Sequence, residues 1–211
     1  MNIGRKIDHI VYAVKDLDTA CNELEELLGI KPIFGGYHHT KGTKNALLNL
    51  GDACYLELLA IDDSNTCIQA PRWMGIDLIE RPQITRWAIK SLNLEQDSLL
   101  LKNHYPKLGE IQAGQRKMLD GNELKWRMVL PIADPKVDIV PFMVDWQDSS
   151  YHPTDRLLEG GKLLEVRVFH PDVAMIQAVL QNLEVNLKVE AAAEVRISIL
   201  VEGLKGVVEI F

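Results

Sequence analysis

The sequence has few cysteines and no long apolar run. Three cysteines, Cys21, Cys54 and Cys67, form no CxxC pair. Three thiols cannot all pair, so they indicate a reducing compartment rather than a disulfide framework. The uncharged runs are too short to span a bilayer, and residues 1–6 carry charges where a secretion signal needs an apolar stretch. We therefore expect a cytoplasmic protein with no membrane partner.

The sequence also lacks a cluster of positive charge. Its formal net charge is −7, with no stripe rich in Lys and Arg, and such a surface repels a phosphate backbone. We therefore expect no nucleic-acid partner. The sequence contains no Walker loop, no GxGxxG after a strand, no HExxH and no GxSxG, so nucleotide-binding and common hydrolase functions are not supported.

What the sequence does contain is a repeated order of elements. Residues 7–14 alternate and are rich in β-branched side chains, which predicts a strand. Asp16 is a helix N-cap residue, apolar residues follow at helical spacing, and Gly29 ends the helix. Three short strand segments come next, at residues 32–37, 45–50 and 54–61. The order is βαβββ.

The same order recurs at the C-terminus and, less distinctly, in the middle of the chain. The pattern predicts an α+β fold of repeated βαβββ modules, with curved, partly closed mixed sheets and helices on the outside. We place two modules, residues 7–61 and 84–147, in one domain of residues 1–155, and an additional module at residues 162–211.

Five groups of residues resemble the glyoxalase-like domain family of the vicinal-oxygen-chelate superfamily. The resemblance covers residues 7–155 and, more loosely, the remainder. It implies paired modules that form an eight-stranded, partly closed sheet around a ligand cavity, with metal ligands on the first and last strands of each module. In chain order, the groups are Asp8-His9-Ile10-Val11; His39-x-x-Gly42-Thr43-x-Asn45; Tyr55-Leu56-Glu57; Trp87-Ala88 with Leu124-Lys125-Trp126; and residues 141–146 followed by His152-Pro153.

In the first module the ligand positions are His9 and Glu57. The resemblance implies catalytic and metal-binding roles for both, with Zn, Mn, Fe or Mg as the divalent ion. His9 alone is equally compatible with a hydrogen-bonded interior histidine. Glu57 lies in an apolar segment, where a buried carboxylate needs a metal, a cation or a set of donors; a salt bridge or a solvent-facing position is the alternative.

The second module departs from this pattern. Arg86 stands where His9 stands in the first module, and Val144 or Asp145 stands where Glu57 does. A guanidinium cannot ligate a cation, so this pairing of modules would not give an ordinary four-ligand site. Arg86 could instead pair with Glu57 or clamp an anionic ligand.

Pairing of modules one and three is the alternative. Glu165 and Glu209 would then complete a set of one nitrogen and three oxygen ligands, which suits Mn²⁺, Mg²⁺, Fe²⁺ or Zn²⁺. Both glutamates are also compatible with solvated charges on an outer strand face.

Further cavity residues are implied by the resemblance. Of the adjacent residues His38 and His39, at most one faces the cavity, and the family pattern favours His39 together with Asn45. Trp126 is compatible with a cavity wall or with packing. The implied ligand-binding residues are His39, Asn45, Arg86, Trp126 and Asp145.

The functional expectation is a glyoxalase-like protein that binds a small oxygen-rich or anionic metabolite. Metal-assisted lyase, isomerase or dioxygenase chemistry and metal-free sequestration without catalysis both remain open. The edge of an unpaired third module is expected to be covered by a second copy, which predicts a homodimer.

Overall fold

The computed structural model describes residues 4–117, 123–146, 149 and 151–211. Within them the chain forms three units, each a strand, a helix and three strands, and the predicted α+β fold of repeated βαβββ modules is confirmed. The predicted end of the second module, residue 147, lies outside the described residues. The first unit contains β1 (Ile7–Ala13), α1 (Leu17–Leu28), β2 (Ile33–His38), β3 (Thr43–Asn49) and β4 (Tyr55–Ile61).

The other two units follow the same order. The second contains β5 (Gln83–Lys90), α2 (Leu94–His104), β6 (Ile111–Lys117), β7 (Glu123–Val129) and β8 (Phe142–Asp145). The third contains β9 (Lys162–His170), α3 (Val173–Asn182), β10 (Val189–Ala191), β11 (Arg196–Gly203) and β12 (Gly206–Ile210). Short 3-10 helices lie in the two connectors, at Ile76–Leu78 and Pro153–Arg156. No helix in the described ranges is long and apolar enough to cross a membrane.

Local signals set the helix ends. The Asp16 carboxylate accepts a hydrogen bond from the Thr19 amide at 2.7 Å, and Gly29 takes the left-handed conformation, with φ 74°, that ends α1. Asn93 and Asp172 cap α2 and α3 in the same way. Helix α1 therefore starts and ends where the sequence predicts.

The first two modules share one curled sheet. Its strand order is β2-β3-β4-β1-β5-β8-β7-β6, with β1 and β5 antiparallel at its centre. The third module forms a separate sheet, β10-β9-β11-β12. Modules one and three therefore do not pair. Glu165 and Glu209 lie on the separate sheet, 2.8 and 3.7 Å from the Arg167 guanidinium, as partly exposed surface charges.

Two apolar clusters form on the sheets. The larger one contains the inward faces of the helices and side chains from both sheets, including Leu28, Leu56 and Val201. The smaller cluster lines the hollow between the first two modules and gives the concave surface an apolar floor. Its buried members are Val11, Leu59, Trp73, Met74, Ala88, Met128, Phe142 and Val144.

The third sheet docks on the first through main-chain contacts. The Leu163 amide donates to the Leu50 carbonyl, and the Ile84 amide donates to the Phe211 carbonyl, both at 2.9 Å. At the same junction the backbone of Gly161 approaches Asn49 so closely that an added Cβ would lie 2.1 Å from the Asn49 carbonyl oxygen. The two sheets can meet here only if residue 161 lacks a side chain.

Gly161→Ala should therefore lower the free energy of unfolding by about 1–3 kcal/mol, the usual cost of forcing extra volume into a packed contact. Urea denaturation measures the change, with Ala193→Ser at a solvent-exposed site of the third module as the control. Equal stability of Gly161→Ala and wild type would contradict the close approach.

Candidate functional site

A β-bulge in β1 brings two polar side chains together. Ile7 pairs with Ile89 and His9 pairs with Ala88, so Asp8 is an extra residue with no partner on β5. A bulge interrupts the alternation of side chains between the two faces. Asp8 Oδ1 consequently lies 2.7 Å from His9 Nδ1, and both side chains are buried.

Asp8 also contacts the connector that follows β8. Its Oδ2 accepts hydrogen bonds from Trp146 Nε1 at 2.9 Å and from His152 Nε2 at 3.1 Å. His152 Nδ1 accepts from the Thr154 amide at the start of the 3-10 helix, so the proton of a neutral His152 ring is on Nε2. Three donors therefore converge on one carboxylate.

These contacts change the acidity of Asp8. Burial raises its pKa, but the hydrogen bonds from His152 and His9, together with the attraction of those rings, outweigh burial and lower the pKa to about 2. Lys90 Nζ lies 4.0 Å away. Asp8 is therefore ionised at neutral pH and accepts from His9 Nδ1, so Nε2 of a neutral His9 ring is an acceptor.

Glu57 lies beside that acceptor. It is on β4 opposite Val11, 5% exposed, and its Oε1 accepts from Asn45 Nδ2 at 2.7 Å. Its Oε2 is 3.7 Å from His9 Nε2, which is too long for a hydrogen bond. Two acceptors thus face each other across a gap that a donor can fill. The predicted residues His9, Asn45 and Glu57 come together here.

The other side of Glu57 is occupied by His38, which lines the cavity beside Oε1 with its Nε2 at 3.9 Å. His38 Nδ1 lies 3.0 Å from Thr43 Oγ1, and Trp73 Nε1 donates to the same hydroxyl at 3.1 Å. The family pattern favoured His39, but His39 lies farther out and stacks on Tyr37.

These residues surround an inner cavity of about 50 Å³, which is room for a few water molecules. It adjoins a vestibule of about 370 Å³, with which it shares His38, Trp73, Trp126 and Met128. The remaining walls of the inner cavity include Leu47, Tyr55, Met74, Leu124, Val144, Trp146 and Pro153. The vestibule is also lined by Tyr37, His39, Thr40, Lys41, Gln112, Ala113, Gly114, Gln115 and Leu130.

Trp126, which was predicted to line the cavity wall, packs directly against Gly114. A Cβ at Gly114 would lie 2.3 Å from Trp126 Cε2, so the indole fits only against a residue without a side chain. Across the vestibule, Lys41 Nζ donates to Gln112 Oε1 at 2.9 Å and lies 5.6 Å from the Trp73 ring. Burial lowers the pKa of Lys41.

Two predicted ligand-binding residues lie outside the cavity lining. The Arg86 guanidinium donates to main-chain carbonyls at 2.6–3.2 Å, and burial lowers its pKa to about 10. These bonds hold the connector before β8. Val144 lines the inner cavity, so Asp145, the next residue on β8, faces the other side of the sheet. The carbonyls bound by Arg86 belong to Thr85, Ile132, Pro135 and Lys136.

The chain matches a known protein family over most of its length. The family model of the glyoxalase-like domain matches residues 7–184. The chain belongs to the glyoxalase-like domain family. A search of curated proteins finds no match.

Solved structures resemble this glyoxalase-like protein in fold. A hypothetical protein from Staphylococcus aureus has a TM-score of 0.68 and 16% identity, with 97% of this chain and 98% of that chain covered. Methylmalonyl-CoA epimerase from Mycobacterium tuberculosis has a TM-score of 0.42 and 18% identity, with 69% of this chain and 89% of that chain covered. A Streptomyces coelicolor methylmalonyl-CoA epimerase in complex with 2-nitronate-propionyl-CoA has a TM-score of 0.44 and 16% identity, with 70% of this chain and 96% of that chain covered.

The two modules of the glyoxalase-like protein can be compared position by position. Asp16 and Asn93 are the N-caps of α1 and α2 and stand 77 residues apart. His9 and Arg86 have the same separation. Arg86 therefore occupies the position of His9 in the second module, as predicted from the sequence.

The pairing of residues between strands identifies the residue of the second module that is equivalent to Glu57. Val11 pairs with Glu57 in the first module, and Ala88, the residue 77 positions after Val11, pairs with Phe142 in the second. Phe142, rather than Val144 or Asp145, thus takes the place of a fourth ligand. Neither an arginine nor a phenylalanine can ligate a cation.

A divalent metal ion therefore does not fit these residues. The part of the chain that the structure describes contains no group of three or more His, Cys, Asp and Glu side chains arranged to hold one. His9 and Glu57, the two predicted ligands, would leave most of a coordination sphere unfilled.

Five residues of the site were not predicted as site residues from the sequence: Asp8, His38, Trp73, Trp146 and His152. Asp8 is adjacent to His9 in a polar pair on a buried strand, and Trp146 and His152 belong to a group of residues that carries the family resemblance. His38 ends β2, the other three residues lie in connectors, and the positions of all four depend on tertiary contacts.

The lowered pKa of Asp8 predicts a pH dependence of stability. Its folded value of about 2 lies below the usual 3.8, so the carboxylate contributes about 2 kcal/mol of stability above pH 4, which is lost as the pH falls through 2. Asp8→Asn should remove this dependence and destabilise the protein at neutral pH. Urea unfolding between pH 5 and 2 measures it. Asp172→Asn, at an exposed N-cap, is the control; equal slopes in wild type and Asp8→Asn would contradict the assignment.

Proposed function

We propose that this glyoxalase-like protein binds a small carbonyl compound and removes a proton from the carbon next to the carbonyl group, with Glu57 as the proton acceptor. The carrying observation is the pair of buried acceptors, Glu57 Oε2 and His9 Nε2, 3.7 Å apart at the inner end of an aromatic cavity. This chemistry belongs to isomerase and lyase reactions. It needs no metal ion.

The two acceptors support a ligand that supplies a proton between them. Asn45 and Asp8 hold them in place through the 2.7 Å bonds to Glu57 and His9. Neither acceptor can satisfy the other, so a ligand hydrogen in the gap is stabilised by both. A positioned base of this kind accelerates proton transfer by about 10²–10⁴-fold.

The size of the cavity limits what reacts. The inner cavity of about 50 Å³ admits only the reacting group, so the body of the ligand lies in the vestibule. Trp73 and Trp126 line both spaces and favour a planar or acyl body. Lys41 supplies a cation for an oxygen-rich or anionic end. The sequence analysis suggested Arg86 as the cation that binds an anionic ligand; in this proposal Lys41 has that role.

Non-catalytic binding is the second candidate. The vestibule of about 370 Å³ lies within the usual size range of small-molecule sites, and its aromatic walls can hold a ligand without chemistry. Sequestration would use the same vestibule but would not require the Glu57 carboxylate.

Glu57→Gln separates the two functions. In D₂O, wild-type protein should exchange the acidic C–H of a compound from a panel of small α-keto acids, aldehydes and acyl thioesters, and ¹H NMR detects the lost signal. Glu57→Gln should slow exchange by at least about 100-fold, because the amide cannot accept the proton. The control Glu165→Gln, on the third sheet, should retain the wild-type rate. A compound that stabilises the protein in a thermal shift but never exchanges would favour sequestration.

A homodimer through the third module is also proposed. We treat residues 162–211 as an addition to a two-module domain of residues 1–155. Among the described strands, β12 pairs with β11 alone, and Val207 on β12 is 56% exposed. An apolar edge of this kind is commonly covered by a second chain.

Light scattering at micromolar concentration should give the mass of two chains for wild type and of one chain for Val207→Lys. Leu92→Lys, at an exposed residue of the second module, should remain dimeric. A monomeric wild type would contradict the proposal.

A further inference from the structure

One tryptophan of the cavity wall keeps its indole N–H free within the described part of the chain. Of the four tryptophans in the sequence, three donate this hydrogen to a protein acceptor at 2.7–3.1 Å. Trp126, which is only partly buried, makes no such bond to a described residue. An indole nitrogen can only donate, so this group can bind an acceptor in a ligand. The three bonded pairs are Trp73 with Thr43 Oγ1, Trp87 with the Ile139 carbonyl, and Trp146 with Asp8 Oδ2.

The free nitrogen of Trp126 lies on the vestibule side. Gly114 on β6 pairs with Trp126 on β7, and a Cβ at Gly114 would lie 2.5 Å from Trp126 Nε1. Gly114 is one of the residues that line the vestibule and is not one of those that line the inner cavity. The donor therefore belongs to the space that holds the body of the ligand in the proposed function.

A cation lies beside this donor along β6. Gln112 and Gly114 are two residues apart on the strand, so they face the same side of the sheet. Two residues span about 7 Å along a strand. Lys41 Nζ donates to Gln112 Oε1 at 2.9 Å, and Trp126 Nε1 lies over Gly114. The ammonium and the indole nitrogen are therefore neighbours on the vestibule wall.

The charge of Lys41 is not neutralised by an ion pair. Gln112 accepts from Lys41 through Oε1 and donates through Nε2 to Glu110 Oε1 at 2.7 Å, so its amide separates the cation from that carboxylate. Lys41 forms no ion pair with any residue that the structure describes. An ammonium has three N–H donors, and Gln112 uses one of them. Lys41 therefore keeps its positive charge and further donors for a ligand.

From this pair of donors we infer that the vestibule binds a carboxylate of the ligand, with Trp126 Nε1–H on one oxygen and the Lys41 ammonium on the other. The inference rests on the proposed function and names its substrate class, an oxo acid whose carbonyl group reaches Glu57 and whose carboxylate stays in the vestibule. A carboxylate that accepts a bond of about 2.8 Å at each oxygen bridges donors at this spacing. One cation matches its single charge, whereas a phosphate brings about two.

The free donor can be tested before any ligand is added. In ¹H–¹⁵N NMR of the wild-type protein, sequential assignment identifies the indole N–H signals without a variant. Trp126 should exchange its indole proton with D₂O faster than Trp73, Trp87 and Trp146, because those three are hydrogen-bonded. Equal protection of Trp126 would overturn the inference, since its donor would already be engaged.

Paired probes test the charge of the bound group. Oxo acids in which the chain between carbonyl and carboxylate is lengthened one methylene at a time are compared with their primary amides. One acid should shift the Trp126 indole signal downfield and bind about 10–100-fold more tightly than its amide, as expected for hydrogen bonds to a charged group. Equal binding of acid and amide, tighter binding of inorganic phosphate, or no shift with any acid would overturn the inference.

Variants assign the binding to these side chains. Trp126→Phe keeps a ring but loses the donor and should weaken binding of the acid about 10-fold. Lys41→Gln should abolish the preference for acid over amide, whereas Lys188→Gln, at an exposed residue of the third module, should bind like wild type. Gly114→Ala, whose Cβ displaces the indole, serves as the second variant if Trp126→Phe does not fold. Unchanged affinity in Lys41→Gln and in either Trp126 test would overturn the inference.

The results separate this inference from the proposed function. Glu57→Gln should still bind the acid, because Glu57 lines the inner cavity and not the vestibule. Binding of the acid without C–H exchange in wild type overturns the proposed function and leaves the carboxylate site. Exchange that is equally fast for acid and amide, and that Glu57→Gln abolishes, overturns the carboxylate site and leaves the proposed function.

Discussion

The buried carboxylate of Asp8 is the group on which the rest of the site depends. It accepts hydrogen bonds from His9 on the central strand and from Trp146 and His152 on the connector after β8. A buried charge is stable only when such donors surround it. One residue thus orients the histidine at the inner end of the cavity and fixes the wall that closes it, so the shape of the cavity and the direction of its acceptor are coupled.

The two modules of the large sheet contribute different kinds of residue to the site. The first supplies the polar groups His9, Asn45 and Glu57, whereas the equivalents of His9 and Glu57 in the second are Arg86 and Phe142. Arg86 binds carbonyls of its own connector, and four charge-assisted bonds offset the cost of burying its guanidinium. A position that the resemblance assigns to a metal ligand therefore stabilises a connector, and the second module contributes mainly apolar walls.

The fold followed from the sequence because its signals are local. Alternation in the strands, the cap at Asp16 and the stop at Gly29 each require only neighbouring residues. The family resemblance implied that His9 and Glu57 lie together at the cavity. Strand alternation could not place Asp8, because the bulge in β1 depends on pairing with β5. Nor could it choose between His38 and His39, because β2 has its own register shift between Phe34 and Gly36. Trp146 and His152 reach Asp8 across more than 130 residues, a distance over which periodicity carries no information.

The chemistry of the inner cavity depends on a residue behind His9. The ionised carboxylate of Asp8 requires a proton on His9 Nδ1, which leaves a lone pair on His9 Nε2, 3.7 Å from Glu57 Oε2. The positions equivalent to His9 and Glu57 in the second module are Arg86 and Phe142, so they add no ligand for a cation. On the proposed function, the two acceptors are what proton transfer needs, because Asp8 and Asn45 hold them in place on either side of the hydrogen that Glu57 removes.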